Sequence, residues 1–117
     1  MAHTDRLLER LVNRVNESGE LLDITLVIGG AMVSGRLAAR QAWMEVMIEN
    51  LPEFGLGTFR DDFATFTDEM DEQEYLHLSG GKVLFGELAV PPRGGLVRIP
   101  ITSIDGWMIG RIDISRQ

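Results

Sequence analysis

The 117-residue chain contains no cysteine, only two histidines and a single tyrosine. Without thiols there is no disulfide framework, no thiolate metal site and no thiol nucleophile. The core must therefore suffice alone, which a chain of this length can manage by burying roughly two thirds of its unfolded surface. Cysteine-free composition also suits a reducing compartment. No apolar run approaches the roughly 18 residues of a membrane-spanning helix. The start, Met1-Ala2-His3-Thr4-Asp5-Arg6, shows no basic leader followed by an apolar stretch, so a soluble, cytoplasmic protein is expected. Asn16-Glu17-Ser18 matches a glycosylation acceptor, but without an export signal it reads as accidental.

Positive charge is also scarce: 11 Lys and Arg stand against 18 Asp and Glu, a net charge of −7. The excess has a location. Residues 53–74 hold eight acids (Glu53, Asp61, Asp62, Asp68, Glu69, Asp71, Glu72, Glu74) and one base, Arg60, while the rest balances ten against ten. Binding to nucleic acid depends on neutralising phosphates, which this balance opposes. An acidic belt on a neutral body suits a basic protein partner, or a part that holds assemblies apart by repulsion.

Hydropathy patterning then organises the chain as one domain over residues 1–117. Residues 4–18 read as a helix: Leu7, Leu8, Leu11, Val12 and Val15 form one stripe, Thr4 can cap it, Asp5 favours its first turn and Gly19 stops it. Residues 21–39 alternate with period two on either side of Gly29-Gly30, a β-hairpin with a tight turn. Gly35 inside the return strand predicts a bulge or bend. Residues 40–51 read as a second helix, ended by Pro52. Residues 53–74 combine the acids with Phe54, Phe59, Phe63 and Phe66, and Phe59, Phe63, Phe66 and Met70 keep helical spacing.

Further strands are predicted at 75–79 and 82–85 around a Gly80-Gly81 turn, at 96–101, and from Trp107 to Ile114, with Pro91–Gly95 as a loop. The expected fold is mainly β with an N-terminal helix. It is a small SH3-like or Sm-like five-stranded barrel over 21–114, with a helix inserted after the second strand and a helical and acidic insert over 40–74.

Catalytic patterns are missing. There is no Gly-x-Ser-x-Gly elbow, and nothing supplies an oriented base for a nucleophile. His77 alternates with Leu76 and Leu78, which reads as a surface or barrel-rim position. Gly80-Gly81-Lys82-Val83 fails as a phosphate loop, since Leu76 stands at the first glycine and Val83 at the Ser/Thr position. The acidic run lacks the spacing of a calcium loop. No enzyme activity, cofactor or metal is expected. Trp43 and Trp107 read as core or helix-packing residues. Phe59, Phe63 and Phe66 leave two readings open, a face folded onto the barrel or an exposed adhesive patch.

Three ordered blocks carry a family resemblance. They are Leu22-Asp23-Ile24-Thr25-Leu26 leading to Val33-Ser34-Gly35, then Leu76-His77-Leu78 after the acidic stretch, then Ile104-Asp105-Gly106-Trp107 through Gly110-Arg111-Ile112. The set resembles the gas vesicle accessory protein U family over roughly residues 20 to 114. That resemblance implies a non-enzymatic role in gas vesicle assembly or clustering through contacts with shell or other accessory proteins, and localisation at gas vesicles. The candidate protein-binding residues are Phe59, Asp61, Asp62, Phe63, Phe66, Asp68 and Glu69 on the insert, with Arg36 and Arg98 as outward-pointing strand residues. A homo-oligomer is compatible with exposed strand edges; neither nucleic acid nor membrane is an expected partner. The alternative is an Sm-like oligomeric barrel binding RNA or another protein.

Overall fold

The computed structural model describes residues 5–69 and 74–112, the side chains of 67–69 excepted. Helix α1 spans Arg6–Ser18. Its cap is Asp5, one position later than the expected Thr4, which lies outside the described residues. Asp5 Oδ1 accepts from the amides of Leu7 (2.9 Å) and Leu8 (3.1 Å), satisfying two of the orphan donors every helix start leaves. The same carboxylate accepts the Trp107 indole N–H through Oδ2 at 2.8 Å. That bond, with the two amides, holds the Asp5 carboxyl below the usual carboxylate range. Gly19 closes the helix at φ 77°, as its lack of a Cβ allows.

Strands β1 (Leu22–Ile28) and β2 (Ala31–Ala38) pair antiparallel with Ile28 opposite Ala31. Gly29 and Gly30 both take positive φ, the geometry of a two-residue primed turn. Helix α2 (Arg40–Asn50) follows, an insertion after the second strand as expected, and Asn16 of α1 caps it by accepting the Arg40 amide at 2.9 Å. Single 3-10 turns at Leu51–Phe54 and Gly57–Phe59 lead into α3 (Arg60–Glu69). Strands β3 (Tyr75–Phe85), β4 (Leu88–Pro100) and β5 (Gly106–Ile109) complete the chain.

Two expectations are corrected here. The five strands form an open antiparallel sheet in the order β4-β3-β2-β1-β5, and among the described residues no ladder joins β4 to β5. Closure into an SH3-like or Sm-like barrel is therefore not seen; the four-residue β5 stays on the β1 edge. Second, Gly80-Gly81 is not a turn. β3 runs through it, and the hairpin turns at Gly86-Glu87, between the paired Phe85 and Leu88.

The glycines serve a crossing instead. From Ser34–Lys82 to Arg36–Ser79, β2 advances two residues while β3 advances three, so β3 carries a bulge at Gly80, whose φ is 60°. A Cβ on Gly35 would lie 3.0 Å from Gly81 Cα, and one on Gly94 would lie 2.8 Å from Gly80 backbone atoms. Backbone thus passes backbone with no room for a methyl. On β4, the four residues Pro91–Gly94 stand against Lys82 alone between the pairs Gly81–Gly95 and Val83–Val90, so the expected loop at 91–95 is an irregularity of register within a strand.

One sheet face packs on α1. Leu8, Val12 and Val15 meet Ile24, Leu26, Val33, Leu37, Leu76, Leu78 and Ile99 in one cluster, each side chain contributing roughly 1.5–3 kcal/mol when fully buried. The other face carries Asp23, Thr25, Ser34, Arg36, His77, Lys82 and Arg98, because paired residues of an antiparallel ladder share a face. Helices α2 and α3 cover the Tyr75–His77 end of it.

That second face contains a buried polar node linking the motif blocks. Thr25 and Ser34 are both buried. Thr25 Oγ1 lies 2.8 Å from the Gly110 carbonyl and 3.0 Å from Ser34 Oγ, and Ser34 Oγ accepts the Ile112 amide at 2.9 Å. A hydroxyl has one proton, so Thr25 donates to Gly110 and accepts from Ser34. Asp105 fixes the first hairpin, accepting the Gly29 amide at 2.7 Å.

Candidate protein-interaction surface

The face covered by α2 and α3 opens in a groove of about 260 Å³ lined by Trp43, Met44, Asp62, Phe63, Phe66 and Arg98. Trp43 is positioned by a bond from its indole N–H to the Leu78 carbonyl at 3.0 Å. The Arg98 guanidinium lies over two aromatic rings, 3.7 Å from the Tyr75 centroid and 5.0 Å from that of Phe66. Such stacks contribute about 0.5–2 kcal/mol and pin α3 to the sheet.

Of the residues singled out from sequence, Asp62, Phe63, Phe66 and Arg98 converge on this groove. Phe59 precedes α3 and is half exposed; Asp61 is exposed on its first turn. Asp68 and Glu69 belong to α3 by backbone, and their side chains lie outside the described residues. Arg36 stands apart, over β2, where its Nε meets Asp23 Oδ1 at 3.3 Å. The phenylalanine stripe divides between the two open readings: Phe63 is half-buried, while Phe66 and Phe59 keep 37% and 49% of their surface exposed.

Sequence reasoning missed three contributors. Trp43 and Met44 line the groove, although the sequence offered Trp43 only as a core or helix-packing residue. His77 is buried, at 3% exposure, not on a rim. Its ring lies 4.8 Å from that of Trp43, and among the described residues its Nε2 has no hydrogen-bond partner. Burial, helped by the charges of Arg98 and Arg40, pushes its pKa down to about 4, so the imidazole is neutral at pH 7.

A second, polar groove of about 270 Å³ lies on the same sheet face, lined by Asp23, Ser34, Gly80, Lys82, Arg111 and Ile112. Asp23 Oδ1 meets both Arg36 Nε and Arg111 Nε at 3.3 Å. The described residues contain no group of three or more His, Cys, Asp or Glu able to hold a metal, and no helix long and apolar enough to cross a membrane.

An open antiparallel sheet with one grooved and charged face defines a small mainly β protein with an aromatic and acidic surface beside a cationic one. The family described as gas vesicle protein GvpU-like matches residues 5–112, and the chain belongs to it. No curated protein and no solved structure matches the chain.

Proposed function

We propose that this protein is a non-enzymatic gas vesicle accessory protein, contributing to vesicle assembly or clustering through protein–protein contacts. Its partners are shell protein or other accessory proteins, met at the groove between α2 and α3. Family membership supports the vesicle setting. The contact surface is supported by one juxtaposition: an apolar groove lined by the exposed Phe66 and the carboxylate of Asp62, on a helix whose first turn and approach also expose Asp61 and Phe59. A surface of this kind suits an amphipathic partner that offers an apolar ridge and basic residues.

The test is co-sedimentation of the purified protein with isolated gas vesicles. Wild type is expected to pellet with them, and Phe59→Ser/Phe66→Ser to stay in solution while keeping its circular dichroism spectrum. Wild-type protein that remains in the supernatant, or cells whose vesicle number and clustering do not change when the whole chain is deleted, would sink this reading.

A further inference from the structure

The polar groove holds a charge arrangement that the vesicle reading does not use. Two cations, Lys82 and Arg111, line it with one carboxylate, Asp23, and a third cation, Arg36, meets that carboxylate from β2, on a chain whose net charge is −7. Asp23 meets each arginine through Nε, the inner nitrogen, which orients both guanidinium groups and leaves each with the four N–H donors of its two outer nitrogens. Lys82, level with Ser34 across the ladder, is partly buried and has no ion-pair partner among the described residues. Gly80, on the groove wall, carries no side chain to bar close approach. This is a receptacle for carboxylates: forked donors held in place, a point charge beside them and an open wall.

The complementary surface is on the same molecule and the same face. Asp61 and Asp62 are exposed on α3, within a stretch that holds eight acids and one base. Among the described residues neither pairs with the groove's cations, because α3 is held at the far end of the face by the Arg98 stack. A patch and its complement displaced along one face can be satisfied twice by a two-fold axis, residue i meeting j and j meeting i. We propose that the Lys82–Arg111 groove, with Arg36 beside it, receives the acidic α3 segment of a second copy of this chain, and that two copies pair reciprocally, sheet face to sheet face.

Charge-swap complementation tests this in purified protein without vesicles, so its failure and failure of the vesicle reading are distinguishable. One variant, Lys82→Glu/Arg111→Glu, makes the groove acidic; a second, Asp61→Lys/Asp62→Lys, makes the segment basic. Lys82→Glu alone leaves both arginine contacts of Asp23 in place and guards against a folding defect. Sedimentation equilibrium should show wild type pairing in 20 mM salt and associating about 10-fold more weakly in 0.5 M, as screening requires. Each double variant alone should be monomeric, Lys82→Glu should pair more weakly than wild type, and an equimolar mixture of the two double variants should pair again. Wild type that is monomeric at every concentration in low salt overturns the proposal. So does a mixture that stays monomeric, or a groove that binds single-stranded RNA while self-association ignores the substitutions.

Discussion

The indole of Trp43 and the imidazole of His77 meet at 4.8 Å with their planes tilted by 52°, so that an inserted helix seals a histidine against the sheet. The unfolded chain binds this proton near pH 6.5 and the folded one only near 4, so acid favours unfolding. The stability held above pH 6.5 should fall between pH 6.5 and 4, by at most roughly 3 kcal/mol at about 1.36 kcal/mol per pH unit. His77→Phe keeps the ring contact and removes the proton. Denaturant unfolding at pH 7 and pH 4.5 should show a smaller difference for that variant than for wild type.

Arg98 acts on the same histidine and on α3 together. Arg98→Gln should raise the His77 pKa from about 4 toward its ordinary value, read by NMR titration. Loss of the stack on Tyr75 and Phe66 should cost about 0.5–2 kcal/mol and speed hydrogen exchange in α3.

The backbone crossing predicts a graded glycine series. Gly19 and Gly94 share φ 77°, but a Cβ on Gly19 would meet nothing within 4 Å while one on Gly94 would strike Gly80. Gly19→Ala should cost only the left-handed backbone penalty, about 1–2 kcal/mol. Gly94→Ala adds overpacking and should cost about 1–3 kcal/mol more. Equal midpoint shifts for the two would refute the steric account.

The hydroxyl node predicts coupling. Ser34→Ala strands the Ile112 amide and one Thr25 contact, for a loss of about 1–3 kcal/mol. Combining it with Thr25→Val should cost less than the two single losses added together, because both remove the same contact. Strict additivity in a double-mutant cycle would show the two side chains to be independent.

How much of this could be read beforehand depended on the range over which each residue is constrained. The Gly29-Gly30 turn was legible because its cause is local: two positive φ values between alternating strands. The same dipeptide at 80–81 misled, since what decides its role is Gly35 and Gly94 pressing on it from β2 and β4, far away in sequence. The His77 alternation was right, but its face was read as open because the cover comes from α2, on the other side of a long insert. The acids of α3 announced themselves as a run. The cationic groove did not, for Arg36, Lys82 and Arg111 gather only when the chain after β5 turns at Gly110 and crosses back over β1 and β2.

The irregular register of β4 at Pro91–Gly94 has a consequence for how copies could stack. An outer strand is ordinarily a template on which a neighbouring strand can zip. Here Pro91, Pro92 and Pro100 offer no amide hydrogen, and the extra residues of Pro91–Gly94 break the regular register of the rim. At the opposite margin β5 is only four residues long. Lateral growth into a ribbon is thereby discouraged at both margins, which leaves the broad surfaces of the molecule as its means of joining others.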